Sequence, residues 1–350
     1  MALKYKDRKE NEARLKADMI SKEMPSFVRQ FFMAEENHLS GMTLYSYASQ
    51  LKTFFEFLRE SNPYFGAKDM RMISTDDMGM LTDADIAEFL HDLRMPKKRK
   101  SNAGESVCSE TTIMHYMVSL NRLFNYLAAH RYIKSNPVEL IKRGRVKKKE
   151  IIYLERDEKN DLLHTVESGE RLTKNQQKFH DLKASKRDTA ICTIFLDTGI
   201  RVSELVGMNI NDINFSKHGI RVFRKGGNFD TVYMSDKAEG ILLDYLENGR
   251  PSYNPSGKEE AVFLNRSGER ISVRSVQKLV KKYMLSAVPD KADRITPHKL
   301  RTTFAENMLL KTGDVEKVQK LMGHSSISST MHYVTSTEEA IEAVRNLSQD

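Results

Sequence analysis

Two stretches in the first half of the chain repeat one pattern. In TLYSYASQLKTFFEFLRE, Thr43 to Glu60, apolar residues fall at 44, 47, 48, 51, 54, 55 and 58. In TTIMHYMVSLNRLFNYLAAH, Thr111 to His130, they fall at 113, 116, 117, 120, 123, 124 and 127. This i, i+3, i+4, i+7 spacing lays one apolar stripe along an α-helix. Each stripe needs a partner face, so the first half is constrained to a helical bundle. A shorter helix follows the capping box Thr82-x-x-Asp85 in LTDADIAEFLHDL, and another is predicted near 27–36.

Asn136-Pro137 is expected to break the last long helix, because proline disfavours helix at the residue before it. The run KRGRVKKK then has six basic residues of eight, Lys142 to Lys149. The organisation predicted is a helical domain over 1–141, a basic linker over 142–150 and a second domain over 151–350. A chain of 350 residues is long enough for two such cores.

The second half is mixed. Helices are predicted at 156–167, 187–197, 201–208, 236–248, 273–286, 298–311, 314–322 and 328–333. GIRVFRKGGNFDTVYM holds two strand-like runs around Gly226-Gly227-Asn228, a hairpin turn signal. AVFLN, 261–265, is predicted as a further strand, and the polar segment 167–186 as a loop or partly helical insertion. The fold class expected is mostly α, a helical bundle plus a mixed α+β domain with a small antiparallel sheet.

The net charge is +8, and residues 1–150 hold 26 Lys+Arg against 20 Asp+Glu. Residues 151–350 hold 30 against 28. The excess gathers in the 142–149 run and in RMPKKRK, 94–100, so phosphate contact stands beside the plainer reading of solvated surface. No apolar run reaches the ~20 residues of a membrane span, and the N-terminus lacks the apolar core of a signal peptide. Cys108 and Cys192 sit in apolar contexts, where buried free thiols suit a reducing cytoplasm.

Several residues are individually unremarkable. Arg201 and Glu204 in DTGIRVSEL share a helix face and could be a surface ion pair, worth little. His298 and Arg301 in TPHKLRTTFA have i, i+3 spacing. Lys225 lies at a hairpin turn, a position usually only solvated. His324 follows Gly323 at a helix end, where a histidine favours the dipole. Tyr333 comes nine residues later in LMGHSSISSTMHYV.

The order and spacing of the set is more informative than any member. Arg, hairpin Lys, His-x-x-Arg, Gly-His and then Tyr resembles the tyrosine recombinase (phage integrase) family. The similarity runs through RDTAICTIFLDTGIRVSELVGMNINDI, TPHKLRTTFAENML and LMGHSSISSTMHYV, covering most of 151–335. The helical first half looks like that family's SAM-like core-binding domain by architecture.

The resemblance makes Arg201 and Arg301 the two phosphate-binding arginines, Lys225 the hairpin lysine, His298 and His324 the two histidine positions, and Tyr333 the nucleophile. Glu204 matches the acidic residue supporting the first arginine. Thr302 stands where the family often has a second histidine, and His332 matches no family site. Lys142, Arg143, Arg145, Lys147, Lys148 and Lys149 are expected to contact DNA phosphates.

Physical chemistry agrees with these roles. Phosphoryl transfer depends on positioning and on positive charge where the transition state becomes negative. A guanidinium fork binds two phosphate oxygens at once. The tyrosine hydroxyl, with a reference pKa of ~10, needs His298 to take its proton. Lys225, its pKa lowered by nearby arginines, would protonate the departing 5′ oxygen. No cofactor or metal is expected, since zinc-ligand spacing is missing.

The implied activity is cutting and rejoining DNA through a 3′-phosphotyrosine, for chromosome-dimer resolution or mobile-element integration and excision. The rivals are a type IB topoisomerase and a DNA-binding regulator without catalysis. Partners implied are a double-stranded recombination site and a homotetramer on two duplexes formed from free monomers, in the bacterial cytoplasm and nucleoid, with no membrane. About twenty residues precede the helical domain, which suggests an Xer-like two-domain member. The tail TEEAIEAVRNLSQD carries a stripe at Ala340, Ile341, Ala343, Val344 and Leu347, expected either to cover its own domain or to dock on a neighbouring protomer.

Overall fold

The structure, a computed structural model, describes residues 5–98, 105–142, 144, 151–224 and 229–323. The chain divides into two compact units, Met1–Lys148 and Lys149–Asp350.

The first unit is helical, with α1 (Tyr5–Ser21), α2 (Ser26–Glu35), α3 (Gly41–Ser61), α4 (Pro63–Gly66), α5 (Thr75–Gly79) and α6 (Asp83–Asp92). Two-residue strands β1 (Lys97–Lys98) and β2 (Glu105–Ser106) pair antiparallel ahead of α7 (Glu110–Ala129). The stripes of α3 and α7 bury Leu51, Phe54, Phe55, Leu120, Leu123 and Phe124 in one core. The Phe54 ring meets Phe89 edge-on at 5.1 Å and Phe124 at 6.3 Å, a favoured aromatic geometry. Side chains hold the helix starts: Ser40 accepts from Thr43 N–H, Ser109 from Thr112 N–H, and Asp85 from Thr82 N–H.

Two expectations need correction here. The residues ahead of α2 form a helix, α1, that packs on α3. The last long helix ends at Ala129 rather than at Asn136-Pro137. Arg131 takes a positive φ of 60°, and Tyr132 N–H reaches back to the Leu127 carbonyl at 2.9 Å, closing the helix.

The second unit is built around α10 (Leu182–Thr198), which is packed by α8 (Arg156–Ser168), α12 (Asp236–Asp244) and α14 (Pro297–Thr312). Ala190, Ile191, Cys192, Ile194 and Phe195 are all buried, so the second half of α10 is enclosed on most of its faces, as a central helix must be. The short α9 (Lys174–Gln177) and the first turn of α10 occupy the polar segment predicted as an insertion. Asp188, 2% exposed, accepts from Arg187 and from the Tyr283 hydroxyl at 2.8 Å. This ties α10 to α13 (Val273–Ala287). Burial raises the pKa of Cys192, so its thiol stays protonated.

After α11 (Val202–Gly207) comes a three-stranded antiparallel sheet in the order β3 (Ile213–Asn214), β4 (Gly219–Phe223), β5 (Phe229–Tyr233). The β4–β5 register runs from Gly219↔Tyr233 to Phe223↔Phe229. AVFLN forms no strand. It makes two isolated bridges, Asn209↔Ala261 and Leu264↔Arg270, with its apolar residues buried. The helix predicted to 248 ends in a π-helical turn, Tyr245–Gly249. α15 (Val315–Met322) packs on α14 through Phe304, Ala305, Val318 and Met322. The helix predicted at 328–333 lies outside the described residues.

Candidate active site

The site forms where α10 ends, α11 and α14 begin and α15 stops. Gly199 closes α10 with a φ of +60°, a conformation other residues rarely adopt. A side chain there would also collide with Phe304, since an added Cβ would overlap its ring. Arg201 is thereby brought to the N-cap position of α11.

Glu204 holds Arg201 twice. Its Oε2 accepts the Arg201 backbone N–H at 2.9 Å and its Oε1 accepts Nη1 at 2.8 Å. The Glu204 side chain is 5% exposed against 33% for Arg201. The carboxylate is therefore enclosed while part of the guanidinium remains open to a ligand. Arg201 Nη2 lies 3.5 Å from the Gly323 carbonyl.

Arg301 is buried, at 2% exposure. Its two terminal nitrogens donate to the Gly199 and Met322 carbonyls. Those are the carbonyls at the ends of α10 and α15, where a helix leaves acceptors without intrahelical partners and its dipole favours a cation. Arg301 thus locks together the turn leading to Arg201 and the turn leading to His324.

His298 stands one helical turn before Arg301 on the first turn of α14, after Pro297. It stays open to solvent, yet the packed protein around it lowers its pKa below the ordinary imidazole value, aided by the positive charges of Arg301, Lys299 and Arg201. A neutral imidazole at neutral pH can accept a proton. Thr302 turns its hydroxyl back to the His298 carbonyl at 3.2 Å, inside its own helix.

The structure therefore anchors Arg301 on the Gly199 and Met322 carbonyls and Arg201 beside the Gly323 carbonyl, with Glu204 holding Arg201 and His298 one turn before Arg301 on α14. Lys225, His324 and Tyr333 lie outside the described residues, as do Arg143, Arg145, Lys147, Lys148 and Lys149 of the basic run and the tail stripe at 340–347. Lys142 is exposed.

One residue of the cluster escaped the sequence reading. Arg224, 7% exposed, contacts both Glu204 and Asp230. The signal was the two-residue period of β4, which puts Ile220, Val222 and Arg224 on one face. All three are buried.

Elsewhere in this unit, a cleft of about 210 Å³ is lined by Lys183, Arg187, Arg266, Lys282 and Asp188. It shares no residue with the site.

Comparison with known proteins places the site in context. The family model described as the phage integrase family matches residues 153–340. The tyrosine recombinase XerS of Streptococcus thermophilus is 30% identical over 331 residues, covering 89% of this chain and 91% of that protein. The tyrosine recombinase XerC of Thermodesulfovibrio yellowstonii is 33% identical over 228 residues, 64% of this chain and 71% of its own length. Among solved structures, the XerH site-specific recombinase bound to palindromic difH substrate, a post-cleavage complex, superposes with a TM-score of 0.65 at 18% identity. That match covers 97% of this chain and 94% of the other, a likeness of fold.

Proposed function

This chain belongs to the phage integrase family, the tyrosine recombinases, and we propose that its cluster of Arg201, Glu204, His298 and Arg301 is where it cuts and rejoins DNA. It is a tyrosine-type site-specific DNA recombinase acting on duplex DNA. The observation that supports the site assignment is the joint anchoring of both arginines. Arg301 donates to Gly199 and Met322, Arg201 reaches Gly323, and Glu204 fixes Arg201.

The chemistry balances without an outside energy source. The Tyr333 oxygen attacks the scissile phosphorus and His298 takes the phenolic proton. A P–O bond to tyrosine forms as the P–O5′ bond breaks, leaving a 3′-phosphotyrosine. Lys225 gives a proton to the departing 5′ oxygen. Arg201, Arg301 and His324 bind the non-bridging oxygens, where negative charge accumulates. A 5′ hydroxyl from a partner duplex then attacks the phosphotyrosine, which conserves the bond energy and completes strand exchange.

In this reading the helical unit is the core-binding domain, and the run Lys142, Arg143, Arg145, Lys147, Lys148 and Lys149 contacts backbone phosphates. The active assembly is a homotetramer on two duplexes in the bacterial cytoplasm. Its role is Xer-type chromosome-dimer resolution or excision and integration of a mobile element. Among the described residues no helix is long and apolar enough to cross a membrane.

A nicked duplex of the DNA flanking the gene tests the proposal. Cleavage beside the nick should release a short 5′-hydroxyl strand and trap protein covalently on DNA. Binding with no adduct would point instead to a regulator. Relaxation of any supercoiled plasmid, whatever its sequence, would point to a topoisomerase.

A further inference from the structure

We propose that Arg224 is a positioning residue: it pins the end of the β4–β5 hairpin onto the arginine site and so sets where Lys225, the next residue in the chain, is held. The inference rests on the general-acid role given to Lys225 above.

β4 alternates inward and outward, and the inward row is Ile220, Val222 and then Arg224. A charged guanidinium on a buried face loses hydration and persists only with compensating partners. Arg224 has two. Its Nε donates to Asp230 at 3.1 Å, and its Nη1 lies 3.5 and 3.4 Å from the two oxygens of Glu204. Asp230 is on β5, so the first contact spans the hairpin next to its last pair, Phe223↔Phe229. The second contact reaches the same carboxylate that holds Arg201.

Gly323 leaves room for the same guanidinium. Besides its φ of +57°, an added Cβ there would come within 2.8 Å of the Arg224 Nε and 2.9 Å of its Cζ. The end of α15 is thus pared down to let the guanidinium lie against it. One side chain thereby links the hairpin to the first turn of α11 and packs beside the end of α15. A merely solvated hairpin end would need no such arrangement.

A general acid contributes only when held within reach of the leaving oxygen. Loosening the hairpin should therefore impair protonation of O5′ while the arginines keep their hold on the phosphate.

The test compares two nicked substrates, one with the natural phosphodiester and one with sulfur replacing the bridging 5′ oxygen. A thiolate leaves without being protonated. Arg224→Met keeps side-chain bulk and removes the charge and hydrogen bonds. It should cut the oxygen substrate roughly 10²-fold more slowly than the parent protein and recover most of that loss on the sulfur substrate. Half-site affinity should stay within a few-fold.

Equal slowing on both substrates, or parental speed on oxygen, would overturn the proposal. If Arg224→Met does not fold, Arg224→Lys is measured in the same way. It keeps the charge without the fork, so a smaller loss with the same sulfur rescue is expected, and the same two results would overturn the idea. Lys225→Ala separates the two levels of the argument. Absence of sulfur rescue there would remove the general-acid role itself, whatever Arg224 does.

Discussion

Glu204 binds Arg201 at both ends, taking the backbone N–H at 2.9 Å and the side-chain Nη1 at 2.8 Å. The same contact that starts α11 therefore also aims the guanidinium. Glu204→Gln retains the shape and removes the charge. Charge-assisted hydrogen bonds are worth about 1.5–3 kcal/mol, so cleavage of a nicked duplex should fall roughly 10- to 100-fold. Half-site binding, measured by gel shift, should change little. A variant with unaltered cleavage would reduce the pair to helix capping.

His298 gives a prediction with a definite sign. A general base works above its pKa, and the protein packed around this partly solvated ring, together with Arg301, Lys299 and Arg201, lowers that pKa. The acid limb of the cleavage rate should therefore lie below the ordinary imidazole value of ~6.5. Single-turnover rates between pH 5 and 8 should already be flat near pH 7. An acid limb above 6.5 would contradict a neutral His298 at neutral pH.

Glu306, buried on α14 with both carboxyl oxygens unpaired among the described residues, gives a stability prediction. Burial raises its pKa to about 7. A carboxyl with a raised folded pKa makes its full contribution to stability below the unfolded value. That contribution is lost as pH rises from about 4.5 through about 7. Glu306→Gln should flatten this part of the stability curve and raise the unfolding free energy at pH 8 by an amount on the order of 1–3 kcal/mol. Parallel pH profiles for the two proteins would show that Glu306 is not a buried proton carrier.

The tail stripe at 340–347 predicts a split between folding and assembly. Truncation after Thr337 should leave a monomer that binds a half-site and melts as the full chain does, while the proposed four-subunit complex on two duplexes is lost. A much lower melting temperature without DNA would mean that the tail covers its own domain.

Most of the architecture was legible because long helices announce themselves by period. The stripes of α3 and α7 are the core seen in the structure. The i, i+3 spacing of His298 and Arg301 already implied a shared helix face. The end of α7 was not legible, since Arg131 adopts positive φ with no glycine to mark it. AVFLN looked like a strand because it is apolar and short. Its backbone instead meets single residues of two different segments, through Val262 N–H to the Met208 carbonyl and Ile271 N–H to the Phe263 carbonyl. Periodicity cannot distinguish that pattern from a ladder. Arg224 was hidden by its neighbours. It stands beside a lysine and two glycines, and only its place in the β4 alternation points inward.

If Tyr333 is the nucleophile of the site built from Arg201, His298 and Arg301, it is the residue that becomes joined to DNA. Protein trapped on a nicked duplex should, after proteolysis and mass spectrometry, yield one peptide carrying the 3′ phosphate on Tyr333. Tyr333→Phe should give no adduct while binding the half-site with nearly unchanged affinity, because only the attacking oxygen is removed. A covalent complex formed by the Phe variant, or a phosphate found on any other residue, would contradict the account.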